Sequence, residues 1–220
     1  MIMTYHEDDI LEHYFTPKEG DIFVDVGAHI GKYTIIASKR IGPNGKVIAI
    51  EADPDNFDLL NRNIQLNNLS NVIALNYAVY SKEERIKLYL PSGGGGEEES
   101  LSSYTEYNTI MSDRAHGDEK FVEVNANTLD YLLLSNTIKQ EEEVNWIKID
   151  VEGAEYEVLK GAKDIISKSK DITLLIEIHN LSAGNILYEP IREFLSLYNF
   201  KIEFEKAYES GERHVIARKY

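Results

Sequence analysis

The run Ile22-Phe23-Val24-Asp25-Val26-Gly27-Ala28-His29-Ile30-Gly31-Lys32-Tyr33-Thr34 limits the fold more than any other part of the chain. An apolar run that ends at a glycine and passes into helical residues reads as a buried strand, a tight turn and a helix start. That is the first unit of a parallel sheet. A second run, Lys46-Val47-Ile48-Ala49-Ile50-Glu51, reads as a buried strand that also ends in an acid. Glycines let a backbone approach a ligand closely, and a helix N-terminus offers unpaired N–H groups. A carboxylate after the second strand can accept from both hydroxyls of a ribose. Together these features outline a pocket for a nucleoside cofactor.

The same alternation of apolar strands and helical patterns continues through most of the chain and predicts a sheet covered on both faces. Strands are expected at 22–26, 46–51, 72–75, 146–150 and 172–178. Helices are expected at 31–40, from Asp53-Pro54 to Asn67, and at 128–134, 154–167 and 186–198. Asp53 and Pro54 supply an N-cap acid and a first-turn proline. Residues 201–206 and 214–218 read as a closing hairpin. The 220 residues suit one domain. It is expected to begin with a helix at about 5–16 and to carry an insertion at about 80–143 over the active-site edge. Within the insertion, alternating strands at 85–90 and 121–125 flank Gly93-Gly94-Gly95-Gly96-Glu97-Glu98-Glu99, a composition that builds no core.

A formal charge of −15 argues against broad capture of nucleic acid or anionic membrane. The chain has no cysteine, so disulfides and thiolate metal sites are excluded. No apolar run approaches the length of a bilayer span, and the N-terminus lacks the pattern of a signal peptide. A cytoplasmic location is therefore expected.

The first turn departs from the dinucleotide-binding fingerprint, because His29 stands where that pattern needs a second glycine. Asp25, ahead of the glycines, would repel a phosphate but suits an ammonium, directly or through water. A ribose with a compact zwitterionic tail fits better than a diphosphate, and S-adenosylmethionine has both.

Asp25-Val26-Gly27-Ala28-His29-Ile30-Gly31-Lys32-Tyr33-Thr34, Glu51-Ala52-Asp53-Pro54-Asp55-Asn56-Phe57 and Asn61-Arg62-Asn63-Ile64-Gln65-Leu66-Asn67 together resemble the FkbM-type class I methyltransferases. The similarity resumes at Asn76-Tyr77-Ala78-Val79, at Thr128-Leu129-Asp130 and at Ile147-Lys148-Ile149-Asp150-Val151-Glu152-Gly153-Ala154-Glu155. It ends near Leu175-Ile176-Glu177-Ile178. The resemblance implies a Rossmann-like α/β fold: a seven-stranded, mostly parallel sheet with a C-terminal antiparallel hairpin and helices on both faces. It also implies methyl transfer from S-adenosylmethionine, usually to a hydroxyl oxygen; a glycan or other sugar, a lipid or polyketide, and a small-molecule metabolite all fit as acceptor. By the same resemblance Gly27, Ala28 and Gly31 approach the methionine portion, with His29, Tyr33 and Thr34 in the same segment. Glu51 holds the ribose, and Ala52, Asp53, Asn76, Tyr77 and Ala78 border adenine. His29 departs from the asparagine common at that position.

Asp150 ends a strand at the carboxyl edge of the sheet, where open α/β folds bind ligands, and an acid there needs a partner. Glu152 follows in the turn. Glu155 reads as an acid favoured by the helix dipole. Glu177 and His179 fall on one side of the next strand's exit, where a histidine oriented by a carboxylate can take a proton from a hydroxyl. The same histidine also reads as a loop residue. Asp150, Glu152, Glu177 and His179 offer oxygen and nitrogen ligands to a divalent ion, but their spacing is not diagnostic, so a metal is an open alternative and not the favoured reading. Trp146 reads as packing, and His6, His13, His116 and His214 carry no signal. An RNA methyltransferase is the rival among enzymes, opposed by the acidic charge. A nucleotide-binding oxidoreductase or a non-catalytic binding module is the rival of another class.

Overall fold

The structure is a computed structural model, and it describes residues 10, 12–89, 121–135, 137–179, 187–209 and 211–220. The loop at 93–99, His6, His116 and half of the expected first helix lie outside these residues. Ile10, Glu12 and His13 are helical.

Strand β1 (Ile22–Val26) is buried throughout. It leads through the glycine turn into helix α1 (Lys32–Ile41) and strand β2 (Lys46–Ile50). Helix α2 (Pro54–Leu66) starts as its sequence dictates, with Asp53 accepting from the N–H groups of Asp55 and Asn56. Strand β3 (Val72–Leu75) follows. Strands β4 (Ala78–Val79), β5 (Glu84–Tyr89) and β6 (Phe121–Asn127) come next, then helix α3 (Leu129–Leu134) and strand β7 (Trp146–Ile149). Helices α4 (Glu155–Lys160) and α5 (Lys163–Lys168) precede strand β8 (Ile172–Ile178). Helix α6 (Tyr188–Leu197), strand β9 (Lys201–Ala207) and strand β10 (Arg213–Lys219) close the chain.

The main sheet has seven strands in the order β3-β2-β1-β7-β8-β10-β9. It is parallel except around β10, which pairs antiparallel with both β8 and β9. The order reverses direction between β1 and β7. That is the switch point where the carboxyl ends of neighbouring strands leave a crevice.

Strand alternation sorts the core. Val24, Val26, Ile147 and Ile149 face one layer, while Phe23, Trp146, Leu175 and Ile216 face the other, beneath α1. On that second face Phe15 meets Phe23, Tyr33 and Trp146 edge to face, with centroids 5.2–5.5 Å apart. Trp146 is packing, as its sequence position suggests.

One expectation is corrected. The single helix expected at 154–167 is two helices, interrupted at Gly161. A Cβ at Gly161 would lie 2.2 Å from the Tyr80 carbonyl oxygen. The Gly161 carbonyl accepts from Asp130 N–H, and the Asp130 carboxylate accepts from Asp164 and Ile165 N–H at the start of α5. Both strands expected in the inserted region are present, as β5 and β6. β4, β6 and β5 form a separate three-stranded sheet, whose apolar residues pack against Ala52 and Tyr80. No helix among the described residues is long and apolar enough to cross a membrane.

Candidate active site

The half of the crevice beside β2 is organised by main-chain groups. Glu51, just past β2, is buried. One of its carboxylate oxygens accepts from His29 N–H at 2.7 Å and the other from Asp53 N–H at 2.9 Å. His29 takes a left-handed conformation, φ 52°, unusual for a side-chain-bearing residue, and so contributes its backbone to the site. Burial pushes the Glu51 carboxyl up to about 7, against the pull of the two N–H bonds. A carboxylate offers about four acceptor positions, so two remain for a ligand. Asn76, whose side chain was expected near adenine, donates to the carbonyls of Glu51 at 2.8 Å and Ala52 at 3.1 Å, fixing the chain beyond β2. Tyr77 packs partly on the main core, and Ala78 is buried in β4.

The turn after β1 is held by its own main chain. Gly27 and Ala28 N–H both donate to the Ile50 carbonyl, and Gly31 N–H donates to Ala28, so these amides already serve the fold. The glycines are required by protein neighbours. A Cβ at Gly27 (φ 76°) would stand 1.8 Å from the Asp150 carbonyl oxygen, and one at Gly31 (φ 95°) would stand 2.7 Å from Leu60 Cδ1.

Asp25 is fully buried. It accepts from Thr34 Oγ1 at 2.7 Å and lies 3.6 Å from Lys148 Nζ, its direct partner in the register of β1 and β7. Its carboxylate points into protein, so of the two expected routes to a cofactor ammonium, direct or through water, the direct one is closed. Burial raises its pKa, only partly offset by Lys148 and Thr34. Tyr33 and Thr34 are buried as well, Tyr33 beneath the Lys148 ammonium at 5.2 Å from the ring centroid. Ala28 packs with Ala49 and Leu60. Asp53 is occupied as the α2 cap.

The half beside β7 and β8 is built from side chains. Lys148 Nζ donates to the Gly27 carbonyl at 3.0 Å and pairs with Asp150 at 3.0 Å, joining the ends of β1 and β7. Burial opposes the Lys148 charge, but Asp150 and Asp25 outweigh it and raise its pKa. Burial also opposes ionisation of Asp150, but Lys148 and His179 outweigh it and hold its carboxyl below the ordinary range. His179 is buried among acids. Its Nδ1 lies 2.8 Å from Glu155, and its Nε2 lies 3.2 Å from Glu152, 3.7 Å from Glu177 and 3.8 Å from Asp150. Burial disfavours the imidazolium, yet the contacts with Glu152 and Glu155 prevail and push its pKa up to about 12. Glu155, in the first turn of α4, is fully buried and also accepts from Gly153 N–H.

Glu177 reaches on to His214 Nε2 at 3.1 Å, and His214 Nδ1 meets the Tyr208 hydroxyl at 3.1 Å. Burial raises the Glu177 pKa. Asp150, Glu152, Glu177 and His179 thus converge as expected from sequence. Lys148 and His214 were not expected. For Lys148 a signal existed, since a charge inside the apolar run Trp146-Ile147-Lys148-Ile149 must find a partner. His214 emerges only through its register opposite Glu177.

The sheet order, the closing antiparallel hairpin and the crevice between β1 and β7 define a class I methyltransferase fold. The methyltransferase FkbM of Methylobacillus flagellatus is similar over 90% of this chain and 43% of that chain, with a TM-score of 0.59 and 17% identity. Fibrillarin of Aeropyrum pernix, solved with S-adenosyl-L-methionine, is similar over 91% and 67%, with a TM-score of 0.55 and 14% identity. The chain belongs to the FkbM methyltransferase family: the methyltransferase FkbM domain matches residues 25–202. Methyltransferase sdnD of Sordaria araneosa is 32% identical over 64% of this chain and 60% of its own length. The hexuronic acid methyltransferase AglP of Haloferax volcanii is 30% identical over 74% and 57%. The matches therefore span about three fifths of these relatives.

Proposed function

We propose that the protein transfers a methyl group from S-adenosylmethionine to a hydroxyl oxygen, with a sugar or other small hydroxylated molecule as acceptor. The observation that carries this reading is the junction of two unlike halves at the sheet's switch point. A carboxylate positioned by backbone amides stands on one side, and a carboxylate–histidine cluster on the other. The donor set suits a nucleoside, because Glu51 keeps two acceptor positions and the neighbouring turn presents no ready phosphate cradle. When bound, S-adenosylmethionine supplies an electrophilic methyl carbon with a neutral thioether as leaving group.

The chain's own residues must then align the acceptor oxygen and remove its proton. Glu51 would hold the ribose hydroxyls, and Lys148 would fix Asp150 beside the turn. His179 is engaged by Glu155 at Nδ1 and by Glu152 at Nε2, so Glu177 takes the role of base in this reading. His214, 3.1 Å behind Glu177, gives that proton a path toward Tyr208. The relative described as a hexuronic acid methyltransferase supports a sugar acceptor.

A thermal-shift panel of S-adenosylhomocysteine, NAD and NADP tests the donor assignment, with stabilisation expected only from the first. Stabilisation by a dinucleotide alone would overturn it. Transfer of a radiolabelled methyl group to a panel of hydroxylated acceptors tests the reaction.

A further inference from the structure

The cluster around His179 has the arrangement of a cation site. The nearest donor atoms of Asp150, Glu152 and His179 all lie within 4.8 Å of one another. Glu152 and Asp150 stand 3.2 and 3.8 Å from His179 Nε2. Neighbouring ligands bound at about 2.1 Å around one ion are themselves roughly 3.0–3.5 Å apart. The three side chains therefore need only small adjustments to share an ion.

Behind the imidazole, the Glu155 carboxylate takes Nδ1 at 2.8 Å, which leaves Nε2 directed at Asp150 and Glu152. A carboxylate in this position is the usual support of a metal-bound histidine, since it fixes the tautomer and the ring plane. A second observation is independent of these contacts. The other Glu155 oxygen is fully buried and has no hydrogen-bond partner among the described residues. Such an oxygen is costly beside other carboxylates unless positive charge stands close by. An acceptor hydroxyl also has to lose its proton at a face lined by acids, which hinders ionisation unless a cation lies there.

We propose that Asp150, Glu152 and His179 bind one small divalent cation of the manganese or zinc kind, which two carboxylate oxygens and one imidazole nitrogen suit. Ligand spacing in the sequence is silent on this, because His179 reaches Asp150 and Glu152 only through the pairing of β7 with β8. The ion's role rests on the methyl-transfer reading above. Its open face would hold the acceptor oxygen, whose proton passes to Glu177. The new bond from oxygen to the methyl carbon forms as the sulfur–methyl bond breaks, and sulfur keeps the electron pair. The products are a methyl ether, a neutral thioether and a protonated Glu177.

The test is Mn2+ binding to the whole chain, followed by electron paramagnetic resonance and calorimetry without any donor. One equivalent is expected, weakened at least about tenfold in Glu152→Gln and His179→Gln. S-adenosylhomocysteine affinity in Glu152→Gln should stay within about twofold. Pulsed resonance on the wild-type protein should show coupling to an imidazole nitrogen, a readout that needs no variant to fold. Absence of Mn2+ binding, or binding without that coupling, overturns the site. Mn2+ binding with no S-adenosylhomocysteine binding would instead leave the site standing and overturn the donor reading.

Discussion

The two halves of the crevice are built by opposite means. Around Glu51 the partners are main-chain N–H groups of His29 and Asp53, placed by a turn and a helix start. Around His179 they are side chains from the ends of β7 and β8 and from the turn and helix between them. Main-chain donors survive most substitutions of the residues that carry them. A side-chain cluster holds only while each charge is present, because removing one leaves its partners buried and unpaired. The first half should thus tolerate changes around Glu51 but not of Glu51. The second should respond to each of its members, and most strongly to the residue that joins it to the first.

That residue is Lys148. Lys148→Met should cost about 3–5 kcal/mol of stability by leaving Asp25 and Asp150 without their cation, as read by urea unfolding. A loss below about 1 kcal/mol would break the comparison, since the halves would then not depend on this contact. Glu51→Ala comes next. Two hydrogen bonds to a charged group would go, and calorimetry should show roughly a hundredfold weaker S-adenosylhomocysteine binding. Unchanged affinity would remove Glu51 from the ribose site.

The pH dependence is smaller. With its carboxyl raised to about 7, Glu51 is mostly protonated at pH 6 and mostly ionised at pH 8. Donor affinity should therefore fall about tenfold from pH 8 to pH 6, and the dependence should vanish in Glu51→Gln. The effect on folding has the opposite sign. An acid that holds its proton more tightly when folded favours the folded state below its unfolded pKa, and that advantage is lost as pH rises from about 4.5 to 7. Thr34→Val should have the mildest effect, about 1–2 kcal/mol of stability from the lost bond to Asp25, with donor affinity nearly unchanged. A large loss of affinity in that variant would mean that Asp25 touches the ligand after all.

Legibility in the sequence follows the same division. The strands at 22–26 and 72–75 were readable to the residue, and so was the α2 cap, because apolar runs, Gly27 and Asp53-Pro54 are local signals. Glu51 was readable for the same reason. The break at Gly161 was not, because it is imposed by the Tyr80 backbone, far away in the chain. Nor was the separate sheet, which depends on β6 turning back onto β4 and β5. Glu155 sits in the first turn of α4 as its sequence position implies, but its contact with His179 was not readable, since nothing near it in sequence announces that histidine. Asp25, Tyr33 and Thr34, expected in the donor segment from their place in a motif, are all buried by alternation in β1 and the packing of α1.

The contact from Lys148 to the Gly27 carbonyl spans 121 residues of chain. A polypeptide emerging during synthesis therefore completes β1, its turn and β2 long before β7 exists. Until then Asp25 lacks the cation it faces in the finished protein, and the glycine turn has no Asp150 backbone to rest against. Closing so long a loop is slow compared with forming local turns and helices. The crevice is thus unavailable to any early folding species, and a ligand of this site can stabilise only chains that have already brought β7 home.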